Sequence, residues 1–326
     1  MTSPKTYLIT GGAGFIGSHL SEALLAAGNR VVAIDDLSTG RIENIATLQS
    51  HRNFHFARAA IENEVVLDRL ISQADVVLHL AAAVGVKLIV ERPVQTITTN
   101  IGGTERVLQA SLRYGCRVLI ASTSEVYGKG SRIPFSEDDD IVLGPTSRSR
   151  WAYAASKMVD EFLGLAYGRE YGLPVVVFRL FNTVGPRQTG RYGMVIPRFV
   201  GQALRNAPIT VYGDGTQSRC FCDVADAVRA IIGLADHSDS LGRVFNVGGT
   251  DSISIRALAE RIRDLVESDS EIVQVPYEEA YAPGFEDMAR RKPDNTRIHE
   301  LLGWRPEVPL QTILQRAADY GRQLVP

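Results

Sequence analysis

Tyr153 and Lys157 stand four residues apart in Tyr153-Ala-Ala-Ser-Lys157, a spacing that puts both side chains on one helical face, one turn apart. An ammonium beside a phenol favours the phenolate and lowers the tyrosine pKa toward neutrality. Such a tyrosine takes a proton from a hydroxyl that is being oxidised. A second chemical stretch lies upstream. Val118-Leu-Ile-Ala121 reads as a buried strand that runs into Ser122-Thr123-Ser124 and then Glu125. A carboxylate there stands at the mouth of what should be an active site, where it can serve as an acid or a base. The plainer alternative is that Glu125 caps a helix or pairs with a neighbouring arginine.

The elements that must position these residues are legible around them. Tyr7–Thr10, Val31–Ile34, Phe54–Phe56, Val76–Leu80, Val118–Ala121 and Val175–Leu180 are short apolar runs, separated mostly by amphipathic stretches such as 18–27, 101–114 and 153–171. Strand–helix alternation at this spacing predicts an α/β fold, a doubly wound parallel sheet of Rossmann type with helices on both faces. After Leu180, Gly185-Pro186, Gly190, Gly193, Pro197 and Pro208 break the rhythm, and Phe245–Gly249 looks like one more strand. This predicts a nucleotide-binding domain over 1–181, a returning segment near 220–250, and a smaller, interleaved substrate-binding lobe over 182–326.

Thr10-Gly11-Gly12-Ala13-Gly14-Phe15-Ile16-Gly17 directly follows the first strand and opens a helix. Glycines at 11, 14 and 17 permit a tight turn, close approach of a pyrophosphate and close helix–strand packing, and the helix N-terminus offers unpaired N–H groups. Asp35 closes the second strand 18 residues after Gly17, beside Asp36. A carboxylate there hydrogen-bonds the adenosine ribose and repels a 2′-phosphate, so the expected cofactor is NAD.

The 326-residue chain is 45% hydrophobic and 22% charged, with a net charge of −2. That is ordinary for a globular enzyme, and no basic stripe or polybasic anchor points to nucleic acid or a membrane. No apolar run approaches the roughly 18 residues that span a bilayer. Cys116, Cys220 and Cys222 are too few for a disulfide framework. With no signal-like segment ahead of the first strand, they predict a reducing cytoplasm. Cys220-Phe-Cys222 has no second ligand cluster, so no metal is expected.

Taken together, Gly11–Gly17, Asp35–Gly40, His79-Leu-Ala-Ala82, Tyr153–Lys157, Phe181–Arg187, Tyr212–Arg219 and Leu302–Pro306 resemble the extended short-chain dehydrogenase/reductases, in the NAD-dependent nucleotide-sugar epimerase/dehydratase family. The likeness covers nearly the whole chain. It implies Thr123 as a ligand of the sugar hydroxyl, Tyr153 as base and Lys157 as its activator. Gly11, Gly14, Phe15, Ile16, Gly17, Asp35, Asp36, Leu80, Ala81, Ala82 and Asn100 would serve the cofactor. Ala60 stands where the family usually has an Asp near the adenine, which leaves a backbone contact from Ile61. Ser124, Asn182, Val195, Arg219 and Arg291 would serve a nucleotide-sugar substrate, the arginines because their fork binds phosphate bidentately. Arg187, Arg198 and Lys87 are further basic candidates. A homodimer through helices near 101–114 and 153–171 is also implied.

The implied first step is oxidation at C4 of the sugar. Ser122–Gly128 is similar to GDP-mannose 4,6-dehydratases and UDP-glucuronate decarboxylases alike. Gly144-Pro145, Arg150-Trp-Ala-Tyr153 and Arg291-Lys-Pro293 resemble a bacterial UDP-glucuronate decarboxylase, which suggests a catalytic part for Arg291. The leading expectation is a UDP-glucuronate decarboxylase type. A 4,6-dehydratase follows, then a 4-epimerase, which needs no residue such as Glu125. A non-catalytic NAD-binding regulator is the reading from another class.

Overall fold

The computed structural model describes residues 3–83, 85, 92–190, 194–280, 288 and 290–324. Lys87 lies outside them. Seven parallel strands form the central sheet: β1 (Thr6–Thr10), β2 (Arg30–Asp35), β3 (Phe54–Arg58), β4 (Val76–His79), β5 (Arg117–Thr123), β6 (Val175–Phe181) and a returning strand, Val244–Gly248. Their order across the sheet is returning strand, β6, β5, β4, β1, β2, β3. The seven runs expected to be strands are these seven.

Alternation along each strand builds two cores. Tyr7, Ile9, Val31, Ala33, Leu78, Val176 and Phe178 face one side. There they meet Leu20 and Leu24 of α1 (Phe15–Ala26) and Ala227 and Ile231 of a helix spanning Val224–Asp236. Leu8, Val32, Ile34, Val77, Val118, Ile120 and Val175 face the other side, covered by Leu67 of α2 (Glu64–Ile71) and by α3 (Pro93–Tyr114) through Val107 and Leu108. A long helix, α4 (Arg150–Tyr171), packs beside α3. A separate core joins Ile196, Phe199 and Val200 of α5 (Val195–Ala203) to Leu258, Ile262, Ile313 and Leu314.

α3 begins at Pro93, well before the stretch expected from periodicity. Pro93 sits in its first turn, where a fixed φ and a missing N–H cost nothing. Gly102-Gly103 interrupts the apolar pattern, which obscures the helix in the sequence. A Cβ on Gly103 would come within 2.3 Å of Ile61 Cδ1, so close packing against Ile61 explains that glycine.

The strand order reverses between β1 and β4, and ligands of open α/β sheets bind beyond the strand ends at such a switch point. A cavity of about 440 Å³ opens there. It is bounded on the other side by α5 and by two short strands, β7 (Ser218–Cys220) and β8 (Arg290–Arg291). Among the described residues no helix is long and apolar enough to cross a membrane.

Candidate active site

One end of the cavity is the glycine turn. Gly11 has φ +69, and its N–H donates to the Ile34 carbonyl at 2.9 Å. A Cβ on Gly17 would lie 2.3 Å from the Gly11 carbonyl oxygen, and one on Gly11 would lie 3.0 Å from the Ala81 nitrogen. α1 therefore starts hard against the turn. Its N-terminus has no side-chain cap and no acidic residue in its first turn, so its unpaired N–H groups are open to an anion. This cradle fits the pyrophosphate of NAD. Phe15, Ile16, Leu80, Ala81 and Ala82 line the same wall.

Asp35 lines the cavity at the end of β2 and is nearly buried. Its carboxylate accepts from the backbone of Ala13 at 3.0 Å and of Leu37 at 2.8 Å. Burial raises its pKa against these bonds, and the carboxylate retains lone pairs for a ribose hydroxyl. Asp36 is exposed and caps its own turn through Ser38; it is not part of the lining. Ile61 is buried in the packing against α3 and also stays off the lining. Asn100 acts one step back: its Oδ1 accepts from the Ala83 N–H at 2.7 Å, and its Nδ2 donates to Ser156. It pins the loop after β4 to α4.

At the centre, Thr123, Ser124 and Glu125 turn off the end of β5, and Tyr153 and Lys157 reach in from α4. Thr123, whose hydroxyl accepts the Glu125 N–H at 3.2 Å, also favours the Tyr153 phenolate. Lys157 does not behave as expected. Its ammonium donates to Asp160 at 2.7 Å, and both groups are buried. Tyr153 is held above the ordinary tyrosine range by burial, then by Glu125 and Asp160. The expected drop toward neutrality is therefore overturned for the protein by itself: the lysine charge is matched by Asp160.

Glu125 sits among guanidiniums. Arg150, the first residue of α4, donates to its Oε2. Arg291 Nη1 lies 3.5 Å from its Oε1. Burial pushes this carboxyl up, but Arg150, Arg291 and Arg219 together outweigh burial and hold it below the usual range. The arginines converge because β8 pairs with β7, with Arg291 the register partner of Arg219. Sequence reasoning did not single out Arg150 as a site residue. The signal was its place three residues before Tyr153, on the same helical face.

Asn182, with φ +35, anchors its side chain on the Cys220 carbonyl at 2.9 Å and lines the cavity, as does Val195. Arg187 does not line it; its guanidinium is turned onto Glu22 of α1. Arg198 does, stacked 3.8 Å over the Tyr212 ring. Tyr212, Gln217, Phe221 and Tyr277 complete this end; Tyr212 and Gln217 fall in the Tyr212–Arg219 stretch that carries the resemblance, while Phe221 and Tyr277 had no sequence signal. Cys220 and Cys222 are buried free thiols, and no metal-ligand cluster occurs among the described residues.

Comparison with known proteins matches residues 8–317 to the family described as GDP-mannose 4,6 dehydratase. A UDP-N-acetyl-alpha-D-glucosaminuronate decarboxylase of Bacillus cytotoxicus is 44% identical over 321 residues, 98% of each chain. UDP-glucuronic acid decarboxylase 1 of Xenopus tropicalis is 37% identical over 98% of this chain and 72% of its own. Among solved structures, a UDP-glucuronic acid 4-epimerase of Bacillus cereus, in complex with UDP-glucuronic acid and NAD, superposes with a TM-score of 0.88. It shares 32% identity over 98% of this chain and all of the other.

Proposed function

Because the chain belongs to the GDP-mannose 4,6-dehydratase family of NAD-dependent nucleotide-sugar enzymes, we propose that it decarboxylates a UDP-hexuronate, UDP-glucuronate or its 2-acetamido counterpart. The observation that carries this reading is the charge around Glu125. Arg150, Arg291 and Arg219 all act on one carboxylate, so guanidiniums able to bind carboxylates are gathered at the sugar end of the cavity. A guanidinium fork binds a carboxylate bidentately, which suits a substrate whose C6 is a carboxylate better than one whose C6 is a neutral hydroxymethyl group. A 4,6-dehydratase also needs an acid to release the C6 hydroxyl as water. A carboxyl held ionised by guanidiniums is not that acid.

NAD, held by the glycine turn and Asp35, would supply reversible hydride acceptance at C4 and positive charge at the site. The protein's own residues do the rest. Gly11, Gly14, Gly17 and the start of α1 hold the pyrophosphate, and Asp35 the adenosine ribose. Thr123 orients the C4 hydroxyl toward Tyr153, which takes its proton. The resulting 4-ketone makes the substrate a β-keto acid. The C5–C6 bond breaks, carbon dioxide leaves, and its electron pair passes to the C4 oxygen as an enolate. Tyr153 and Thr123 stabilise that oxygen. A proton from solvent then replaces carbon dioxide at C5, and C4 takes back its hydrogen with the electron pair while Tyr153 returns the hydroxyl proton, which gives the pentose. Arg150 and Arg291 hold Glu125 ionised, and Arg219 and Asn182 lie toward the substrate diphosphate.

The division of labour follows the chain: residues 1–181, with the strand returning near 220–250, serve NAD, and 182–326 mainly serve the substrate. Exposed Val94 and Ile97 on α3 and Phe162 on α4 support a homodimer through these helices. Three unpaired, buried cysteines suit a cytoplasmic enzyme. The test is product analysis by mass after incubation with UDP-glucuronate, its 2-acetamido counterpart, UDP-glucose and GDP-mannose. Loss of carbon dioxide from a uronate supports the reading. Loss of water from a hexose marks a dehydratase, and an unchanged mass with an altered spectrum marks an epimerase.

A further inference from the structure

A buried polar chain runs behind the site. Thr10 Oγ1 accepts the backbone N–H groups of Leu80 and Ala81, each at 3.1 Å, so its own proton is free to go elsewhere. It lies 2.8 Å from His79 Nδ1. The other ring nitrogen, Nε2, lies 3.0 Å from Thr104 Oγ1. Burial, with the Lys157 charge, drives the His79 pKa down to about 3, so the ring is neutral and carries one proton. Thr10 donating to Nδ1 assigns that proton to Nε2, which donates to Thr104. Thr104 then has its proton left for Asp160, whose charged form it favours. Asp160 Oδ2 accepts from Lys157, while Oδ1 is buried with no hydrogen bond of ordinary geometry, which leaves it open to that hydroxyl.

From the backbone of Leu80 and Ala81 through Thr10 and His79 to Thr104 the donor and acceptor assignments agree, with the Leu80 N–H shared between the Thr10 hydroxyl and the Thr10 carbonyl. The path begins at backbone that lines the cofactor wall and ends at the lysine beside Tyr153. Asp160 is fully buried, and a buried carboxylate persists only where it is paired and hydrogen-bonded.

We infer that Asp160 is a positioning residue: it holds the Lys157 ammonium by a buried ion pair and couples it, through Thr104, His79 and Thr10, to the Leu80–Ala82 wall. Asp160 touches neither cofactor nor substrate. It fixes where the lysine charge sits, and so how much of that charge reaches Tyr153. The inference rests on the reading of Tyr153 and Lys157 as the proton-transfer pair.

A double-mutant cycle on the full-length protein tests it, with NAD affinity by calorimetry and kcat and KM for the decarboxylated uronate as separate readouts. Asp160→Asn weakens NAD binding and lowers kcat by roughly tenfold, a coupling expected of groups in direct contact, with KM for the uronate little changed. Lys157→Met costs at least as much. The double variant Lys157→Met/Asp160→Asn is no worse than Lys157→Met, because Asp160 acts through the lysine. Losses that multiply overturn the inference, as does an Asp160→Asn protein that matches wild type in both readouts. If Asp160→Asn alone does not fold, comparing the double variant with Lys157→Met decides the same point without a buried unpaired ammonium. Thr104→Val cuts the path without stranding a charge and shifts NAD affinity in the same direction; wild-type affinity in this variant overturns the path to the wall. A protein that turns over no nucleotide sugar defeats the functional reading alone, since the affinity cycle still reports on Asp160.

Discussion

In the proposed reaction Tyr153 is the base and Glu125 a clamped carboxylate, and their environments push them in opposite directions. Burial, then Glu125 and Asp160, raise the Tyr153 pKa, and on the proposed reading the positive charge of bound NAD would favour its phenolate. Tyr153→Phe removes the proton acceptor while keeping the ring, and kcat falls about 10³-fold, with KM for the uronate within a few-fold; steady-state kinetics reads both. Glu125 is held ionised by Arg150, Arg291 and Arg219. Its folded pKa lies below its ordinary value of 4.5, so its contribution to stability is complete above that value and fades as pH falls through the lower, folded value. Glu125→Gln strands buried guanidinium charge and costs about 3 kcal/mol at neutral pH. The deficit relative to wild type persists down to the ordinary carboxylate range and shrinks below it. Urea titrations at stepped pH measure this, and a deficit independent of pH contradicts the ion-pair account. Glu125 was legible as a carboxylate at a strand end; that it is clamped from two sides was not. One clamp, Arg150, is a helical neighbour of Tyr153, while the other, Arg291, comes from a strand 166 residues beyond Glu125 along the chain.

The elements that hold these residues divide into those with local signals and those without. The glycine turn was readable because sterics alone demand it: Gly17 has the Gly11 carbonyl where a Cβ would be. Gly17→Ala must push α1 off β1, at a cost of about 1–3 kcal/mol, and loses NAD binding in calorimetry even where circular dichroism shows the fold intact. The strands were readable because buried parallel strands are near-continuous apolar runs. The start of α3 was not, since Gly102-Gly103 breaks its periodicity and the glycine at 103 answers to Ile61 across the interface. The short pairing of β7 with β8 was equally hidden. It joins Ser218 to Arg290 and Arg219 to Arg291, a contact between distant segments that leaves no period in the sequence. Arg187 shows the reverse error: its motif pointed to the substrate, but a positive φ and the Glu22 carboxylate turn it aside.

At the scale of the molecule, a strand order that reverses beside β1 places one cavity where cofactor wall and substrate lobe meet. The alternation of strands and helices foretold that arrangement, whereas the substrate end comes from broken, Gly/Pro-punctuated chain with no periodicity, legible only through short motifs such as Phe181–Arg187 and Tyr212–Arg219. The proposed homodimer would cover the exposed apolar side chains on α3 and α4. Phe162→Asp places a charge on that face and converts a dimer to monomer in light scattering; an unchanged mass contradicts that interface. The central claim is the fate of the substrate's C6. UDP-glucuronate and its 2-acetamido counterpart, each labelled with heavy carbon at C6, are incubated with the protein and NAD. A decarboxylase releases the label as carbon dioxide, one for each UDP-pentose formed; label retained in the sugar, with either substrate converted to a product of unchanged carbon count, contradicts it.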